Sequence, residues 1–561
     1  MFKLPKSMRR TKFDRLLSLE LNDFDVERLL PTLFNLVVAR GRNRTSGKNE
    51  DKSVTQFING LAKNPSVIGF DSVEGRQLLE QWVRAVCLKT GQAGRGKSRE
   101  KIEFVSPVTL LTYKTGLPKP SSRQRNVPRF LYTAMCNAIT DGSINERRLN
   151  LQHWLKDIFG TGLQMQDSPP YEGHYDGTSD VDIHTLLTLH LLEEFETGAI
   201  TSHEAEEPQP LLEKQAKQAG ENVLLLIRGY RDLLPPVFVG RMLMAIINLD
   251  LLTYTLRSMS AVAALCRDGK MPNFNSSEDQ TFPEIYLDAT GDRRGQSDSI
   301  ARSCVERDLE ATGRFFENSL RLFTIHRMRE VSDTLQQQIS DDASTSVTQY
   351  ITRLLKAESS KHVGVRAESE LDQILQESRL DVTNETELAS FKDELQARLR
   401  RKPAISVLHE ILCENLRPQG VQNIGKWFRG VGGLNRPYGL LLGNIRGPRN
   451  WRYVLTDELL RTLVYLNAVE KYRDNVNEAR PGASLRLDEF MAWLRERFGI
   501  VIDRPPREFS STSARLAAAE NANAFKRRLR QSGFFRGLSD DFNVQSLTVS
   551  LADRGDKEEA Q

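Results

Sequence analysis

The sequence predicts a mainly α, multi-domain helical protein with a few short strands and a winged-helix-like module at its C-terminal end. Three observations carry that expectation. Apolar residues recur at helical spacing over most of the chain, and runs rich in β-branched residues are few. The third is length: 561 residues exceed one ordinary core, since domains run about 100–200 residues, which gives roughly three or four. At 39% hydrophobic and 27% charged residues the chain can bury a core rather than stay disordered.

Element by element, Phe13 to Ala39 places Leu16, Leu17, Leu21, Phe24, Leu29, Leu30 and Leu33 near helical spacing, with Pro31 beginning a new helix. Glu74–Leu88 and Pro128–Ile139 read as helices, and Asp180 is a candidate N-cap for a helix over Val181–Phe195. Leu211 to Arg267 reads as two or three long, nearly buried helices broken at Pro235-Pro236. Ile300–Ile339 is the longest uninterrupted helical pattern, and shorter charged helices continue over Thr345–Leu416. Strand signals are confined to Glu103–Tyr113, Pro283–Ala289, Gly499–Asp503 and Val544–Leu551.

Several classes are disfavoured. The most apolar run, Val237 to Leu252, is interrupted by Gly240, Arg241, Asn248 and Asp250, short of the ~20 residues that span a bilayer. The N-terminus MFKLPKSMRRTKFD is basic with no apolar stretch behind it, unlike a secretory signal; the expectation is a soluble, cytoplasmic protein. Cys87, Cys136, Cys266, Cys304 and Cys413 are odd in number and form no CxxC, which argues against a disulfide framework or a structural zinc.

Charge is unevenly distributed. Asp157 to Glu213 holds thirteen carboxylates and no Lys or Arg, so the rest of a chain of net charge +4 is strongly positive. Such asymmetry bears on partners and solubility rather than fold.

Two motifs invite chemistry. Gly91 to Ser98, GQAGRGKS, fits the P-loop pattern, in which Gly91, Gly96, Lys97 and Ser98 would cradle a nucleotide's phosphates and its magnesium. That chemistry needs a strand before the loop and a helix after it, whereas here a helix precedes and a strand follows. HYDGTSDVDIH offers His174, Asp176, Asp180, Asp182 and His184, ligand types that suit a divalent metal in a spacing that fits no familiar site; a solvated acidic loop and helix cap is the competing reading. No catalytic constellation stands out. Glu284 and Asp288 lack the lysine a nuclease site wants, so the sequence favours a protein without a cofactor, ATP and magnesium entering only if the glycine loop binds a nucleotide.

The basic segments point elsewhere. Ser106–Thr140 has five Lys and Arg and no acid. Asn415–Thr456 also lacks acids and carries Arg417, Lys426, Arg429, Arg436, Arg446, Arg449 and Arg452 among Trp427, Phe428, Tyr438, Trp451 and Tyr453. Cations can neutralise phosphates while aromatics stack on bases. Alternatively, these arginines meet acidic helices, the segment 157–213 foremost. Beyond them, helices over Asp457–Val469, Ser484–Phe498 and Ala514–Gln531 alternate with short strands, and the last helix ends in Lys526, Arg527, Arg528 and Arg530. That order is compatible with a winged-helix module, which can lay a basic helix in the major groove or serve as a protein–protein adaptor.

The segments GNIRGPRNWRYVLTDELLRTLV (443–464), LDEFMAWLRERFGIVID (487–503) and FKRRLRQSGFFRGLSDDFNVQSL (525–547) resemble accessory proteins of bacterial multi-gene anti-phage defence clusters, of the methylation-associated type. The resemblance covers about the last quarter of the chain, carries no diagnostic catalytic motif and transfers no site residues. It implies a helical accessory subunit working beside a methyltransferase, nuclease or ATPase.

The organisation expected is an N-terminal helical region (1–90), a basic loop, strand and helix region (91–156), an acidic segment with an apolar helical core (157–280), a long-helix region (281–416), a basic glycine- and aromatic-rich linker (417–455), the winged-helix-like unit (456–551) and a tail (552–561). The function expected is a non-catalytic antiviral-defence subunit with other protein partners and no membrane, contacting DNA or a DNA-bound partner through its basic C-terminal region. A nucleotide-binding enzyme and a purely protein–protein scaffold are the alternatives.

Overall fold

The computed structural model describes residues 3–44, 50–65, 68–92, 100–115, 124–204, 209–231, 233–274, 282–342, 344–381, 385–445, 447–471, 484–535 and 546–549. The chain is mainly α. Its first half runs α1 (Leu29–Val38), β1 (Arg42–Arg44), α2 (Glu50–Ala62), α3 (Val73–Cys87), β2 (Leu88–Gln92), β3 (Glu100–Val105), α4 (Val127–Ala138), α5 (Ile144–Phe159), β4 (Leu163–Met165), β5 (Gly173–Tyr175), α6 (Ile183–Glu193), β6 (Ile200–Glu204), α7 (Glu213–Tyr230) and α8 (Pro236–Asp268). The second half follows with β7 (Ile285–Tyr286), α9 (Gln296–Glu330), α10 (Asp333–Gln338), α11 (Val347–Ala357), α12 (Lys361–Asp381), α13 (Glu385–Leu399), α14 (Ala404–Val431), β8 (Leu441–Asn444), β9 (Gly447–Tyr453), α15 (Asp457–Lys471), β10 (Ser484–Arg486), α16 (Leu487–Phe498), β11 (Ile500–Val501), α17 (Thr512–Gln531) and β12 (Ser546–Thr548).

The centre is α8. By length and composition it could cross a membrane, but 78% of its most apolar stretch is buried inside the protein. The polar residues that divide this run in the sequence do not break it: Asn248 and Asp250 are buried within one 33-residue helix. Helices α7, α9, α14 and α15 pack around it, and the buried apolar side chains form one cluster from Leu4 to Val549.

Strands are short and pair two by two. The pairs β1–β6, β2–β3, β4–β5, β8–β9 and β10–β12 are antiparallel, whereas β11 runs parallel to β7. A bridge between Asp288 and Val454 sets the end of β9 beside β7, and Phe535 bridges Leu547 of β12.

Several expectations need correction. Residues 13–25 are turns and irregular chain, not helix: Asn22 accepts the Asp23 amide, the local competition that disfavours helix, and Asp25 caps a 3-10 turn over Val26–Arg28. Pro31 sits inside the first turn of α1 rather than starting a helix, where its missing N–H costs nothing. The strand expected over Glu103–Tyr113 stops at Val105, and a 3-10 helix covers Leu110–Thr115. The cap of α6 is Asp182, not Asp180: its carboxylate accepts the amides of His184 and Thr185. The segment 417–455 is no linker, because α14 continues through Pro418 to Val431 and β8–β9 form a hairpin. Its glycines serve close packing: a Cβ at Gly420 would overlap the Phe316 ring of α9.

Candidate nucleic-acid interface

Helix α17 is capped by Ser511, whose side chain accepts the amide of Ala514 at 3.1 Å. One face is buried through Ala514, Ala517, Ala518, Asn521, Ala524, Phe525 and Leu529. Asn521 accepts from the Ala289 amide at 2.7 Å and donates to the Leu287 and Ile502 carbonyls at 2.9 and 3.0 Å. These bonds seat the helix across the β7 and β11 segments. Phe525 stacks on Phe490 of α16 with centroids 6.4 Å apart.

The opposite face exposes Arg515, Leu516, Ala519, Glu520, Asn523, Arg527 and Arg530. Positions 515, 519, 523 and 527 follow the four-residue spacing of one helix face. Among the described residues neither Arg515 nor Arg527 has a side-chain hydrogen bond or an acidic partner. Arg530 lies over the Phe535 ring, 5.0 Å from its centroid. Burial, and next the Arg530 guanidinium, push the Lys526 ammonium below its ordinary value. Arg528 turns inward instead, donating to the Leu455 carbonyl and pairing with Asp457 at 2.5 Å.

The β8–β9 region divides its cations similarly. Arg449 is exposed and Arg429 half-buried. Arg436 lies 3.3 Å from Glu27. Arg452 is 9% exposed and lies 2.8 Å from the Asp298 carboxylate at the start of α9. Arg446 lies outside the described residues. The aromatics expected to stack on bases are all in the core: Trp427, Phe428, Tyr438, Trp451 and Tyr453 are buried. Their density in the sequence reflects packing between α14, the hairpin and α8–α9.

The acidic segment is not matched to these arginines. Between described residues, no ion pair joins 157–213 to 415–456; Asp157 faces Arg228 and Arg231, Arg452 faces Asp298 and Arg417 faces Glu317.

Of the glycine loop, Gly91 lies in β2 opposite Lys101 of β3, while Gly96, Lys97 and Ser98 lie outside the described residues. The described flanks are two antiparallel strands, so no helix N-terminus follows the loop as phosphate binding requires. In the acidic cluster, His174 Nε2 is 3.1 Å from Gln164 Oε1. Asp176 accepts from the Thr178 and Ser179 amides and the Ser179 hydroxyl, and that hydroxyl, foremost, holds its carboxyl down to about 2. Asp182 caps α6, Asp180 is exposed and His184 is half-buried. Among the described residues no three His, Cys, Asp or Glu side chains gather as a metal would need. Glu284 and Asp288 hold loops: Glu284 binds Arg504 and the Arg507 amide, and Asp288 accepts from Ser297 and Thr290.

A family model described as methylation-associated defense system protein MAD7 matches residues 6–549. The chain belongs to this family. The MAD7 match extends the likeness carried by the last quarter of the sequence to almost the whole chain. It includes the acidic segment, the central helix α8 and α17 alike. No curated protein matches the chain. Within this MAD7 chain, sequence reading picked out Lys526–Arg530 but missed Arg515. No simple spacing points to it: twelve positions from Arg527 make about 3.3 turns, which sets the two side chains about 120° apart, near the two edges of the exposed face.

Proposed function

We propose that this protein is a non-catalytic accessory subunit of a methylation-associated defence system that acts in the cytoplasm beside other subunits and contacts DNA through the exposed face of α17. The observation that carries this reading is the division of arginines on that helix. Arg528 pairs internally, whereas Arg515 and Arg527 stand on the outer face without acidic partners among the described residues. Their positions are about 18 Å apart along the helix axis. That spacing can straddle a major groove roughly 12 Å wide, phosphate to phosphate. Ala519 and Asn523 between them are short, and Leu516 and Glu520 share the exposed face. Glu520 is the one carboxylate on the face, so affinity would come from phosphates, with little reading of base sequence.

The topology supports the same reading. Helix α15, strand β10, helices α16 and α17, then Phe535 and β12 follow one another, with β12 between β10 and Phe535. This is the order of a winged-helix unit with α17 as the third helix and β11 as an extra strand docked on β7.

The test is binding of labelled duplex and single-stranded DNA across a salt series. Wild type is expected to bind duplex with a steep salt dependence. The double variant R515E/R527E is expected to bind more weakly, with a salt slope lower by about 2. Both side chains are exposed, so thermal unfolding should match wild type. Absence of wild-type binding at low salt, or an unaltered slope in the folded variant, would overturn the assignment.

A further inference from the structure

A second surface, separate from α17, lies where α2, α3 and α6 meet. A cavity of about 720 Å³ opens there, within the size range that takes ligands or side-chain anchors. Its floor is apolar and buried: Phe57, Leu79 and Leu187. Its rim is apolar and exposed: Ile68 at 88%, Ile183 at 71% and Trp82 at 43%. Single exposed apolar residues are ordinary on protein surfaces. Three around one concavity with an apolar floor mark an interaction site.

The charge lining this groove is acidic, with Lys114 within electrostatic reach of Glu193 from outside the lining. Glu193 and Glu194 line it, and no Lys or Arg does among the described residues. Both belong to the acidic segment, which makes no ion pair with the basic segment 415–456 between described residues. Glu193 is held by the Tyr175 amide and faces His190, while Glu194 is exposed with no ion-pair partner among the described residues. The walls are three helices and the turn that carries Ile68 and Phe70; the helices satisfy their backbone groups internally and so offer side chains and no strand edge. With no strand edge to extend, the recognition mode that this apolar groove fits is a helix laying its apolar stripe into it.

We propose that this groove receives an amphipathic helix of a partner protein, its apolar stripe against Ile68, Trp82 and Ile183 and its flanking lysines or arginines against Glu193 and Glu194. The groove contains no residue of α17, so this proposal stands or falls independently of DNA binding. Charge complementarity would speed encounter and set orientation, while the apolar anchors supply affinity.

The test uses two helical peptides of about 18 residues, or five turns, with the same leucine stripe, one flanked by lysines and the other by glutamates. Each is titrated into the full-length protein and followed by peptide anisotropy. The lysine peptide is expected to bind at least about tenfold tighter than the glutamate peptide. Ile183→Asp should weaken it about 30-fold, the scale of a lost anchor. Glu194→Lys should narrow or reverse the preference. Both side chains are exposed, so matching thermal unfolding confirms that the variants are folded. No binding of the lysine peptide, equal binding of both peptides, or indifference to Ile183→Asp would overturn the proposal. So would self-association of wild type that Ile183→Asp abolishes, because the groove would then belong to a second copy of this chain.

Discussion

At Arg452 and Arg449, three positions apart on one strand, the same side chain does two different jobs. Arg452 is buried against Asp298, which also pairs with Arg302, so its charge holds β9 onto the first turn of α9. Arg449 is exposed. Removing Arg452 takes from Asp298 one of its two cationic partners and leaves Arg302, so the loss is that of an interaction with a charged group rather than of all compensation. Arg452→Ala should therefore cost about 2 kcal/mol of stability, whereas Arg449→Ala should stay within about 0.5 kcal/mol of wild type. Urea unfolding of the two variants distinguishes them, and equal midpoints would remove Arg452 from the fold's framework. Asn521 works on the same principle with a neutral group: one amide satisfies three backbone groups from two separate segments, which polar groups buried away from water require.

Between elements, close approach of backbones decides how helices sit. Helix α7 lies so tightly on α4 that a Cβ at Gly220 would overlap the Ala134 carbonyl. A backbone carbonyl cannot swing aside as a flexible side chain can. Gly220→Ala should thus destabilise the protein by roughly 1–3 kcal/mol, although alanine is the better helix former by about 1 kcal/mol. A rise in thermal midpoint would mean that the two helices can part at no cost. The pairing of β11 with β7 and of β12 with β10 likewise depends on segments far apart in sequence, which is why α17 has a defined inner and outer face.

Across the whole molecule, a buried polar chain ties the C-terminal elements to the central helices. Asn222 of α7 donates to Asp250 of α8 at 2.7 Å, Arg497 of α16 donates to Asn222 at 2.8 Å and binds Glu470 of α15, and Arg257 donates to the Arg497 carbonyl at 2.7 Å. Burial raises the Asp250 carboxyl well above its ordinary value, against the opposing pull of Arg497, Asn222 and Arg257. Since the folded state then holds this proton more firmly than the unfolded chain, its contribution is fully present at acidic pH. It is lost as pH rises from the ordinary aspartate value through the raised one. Asp250→Asn keeps an acceptor for Asn222 without the charge and should flatten that part of the stability–pH curve. Denaturant titrations at several pH values check this, and parallel curves for the two proteins would show that Asp250 does not set the slope.

How far the sequence alone reaches follows from the range of each interaction. Helical periodicity and proline breaks act within a few residues, so α3, α4, the α7–α8 break, α9 and α17 are legible directly, as is the short strand at β11. The resemblance in the last quarter likewise points to the methylation-associated defence type, to which the family matched over residues 6–549 belongs. Tertiary structure alone decided which cations reach solvent. Arg452 looks like its neighbours until Asp298, far away in sequence, is brought beside it, and the five aromatics of the basic segment look available for stacking until α8 and α9 cover them. It also decided that α2, α3 and α6 leave an apolar groove beside Glu193 and Glu194. Burial and ion pairing are properties of contacts between distant residues, and no local pattern records which of those contacts folding makes.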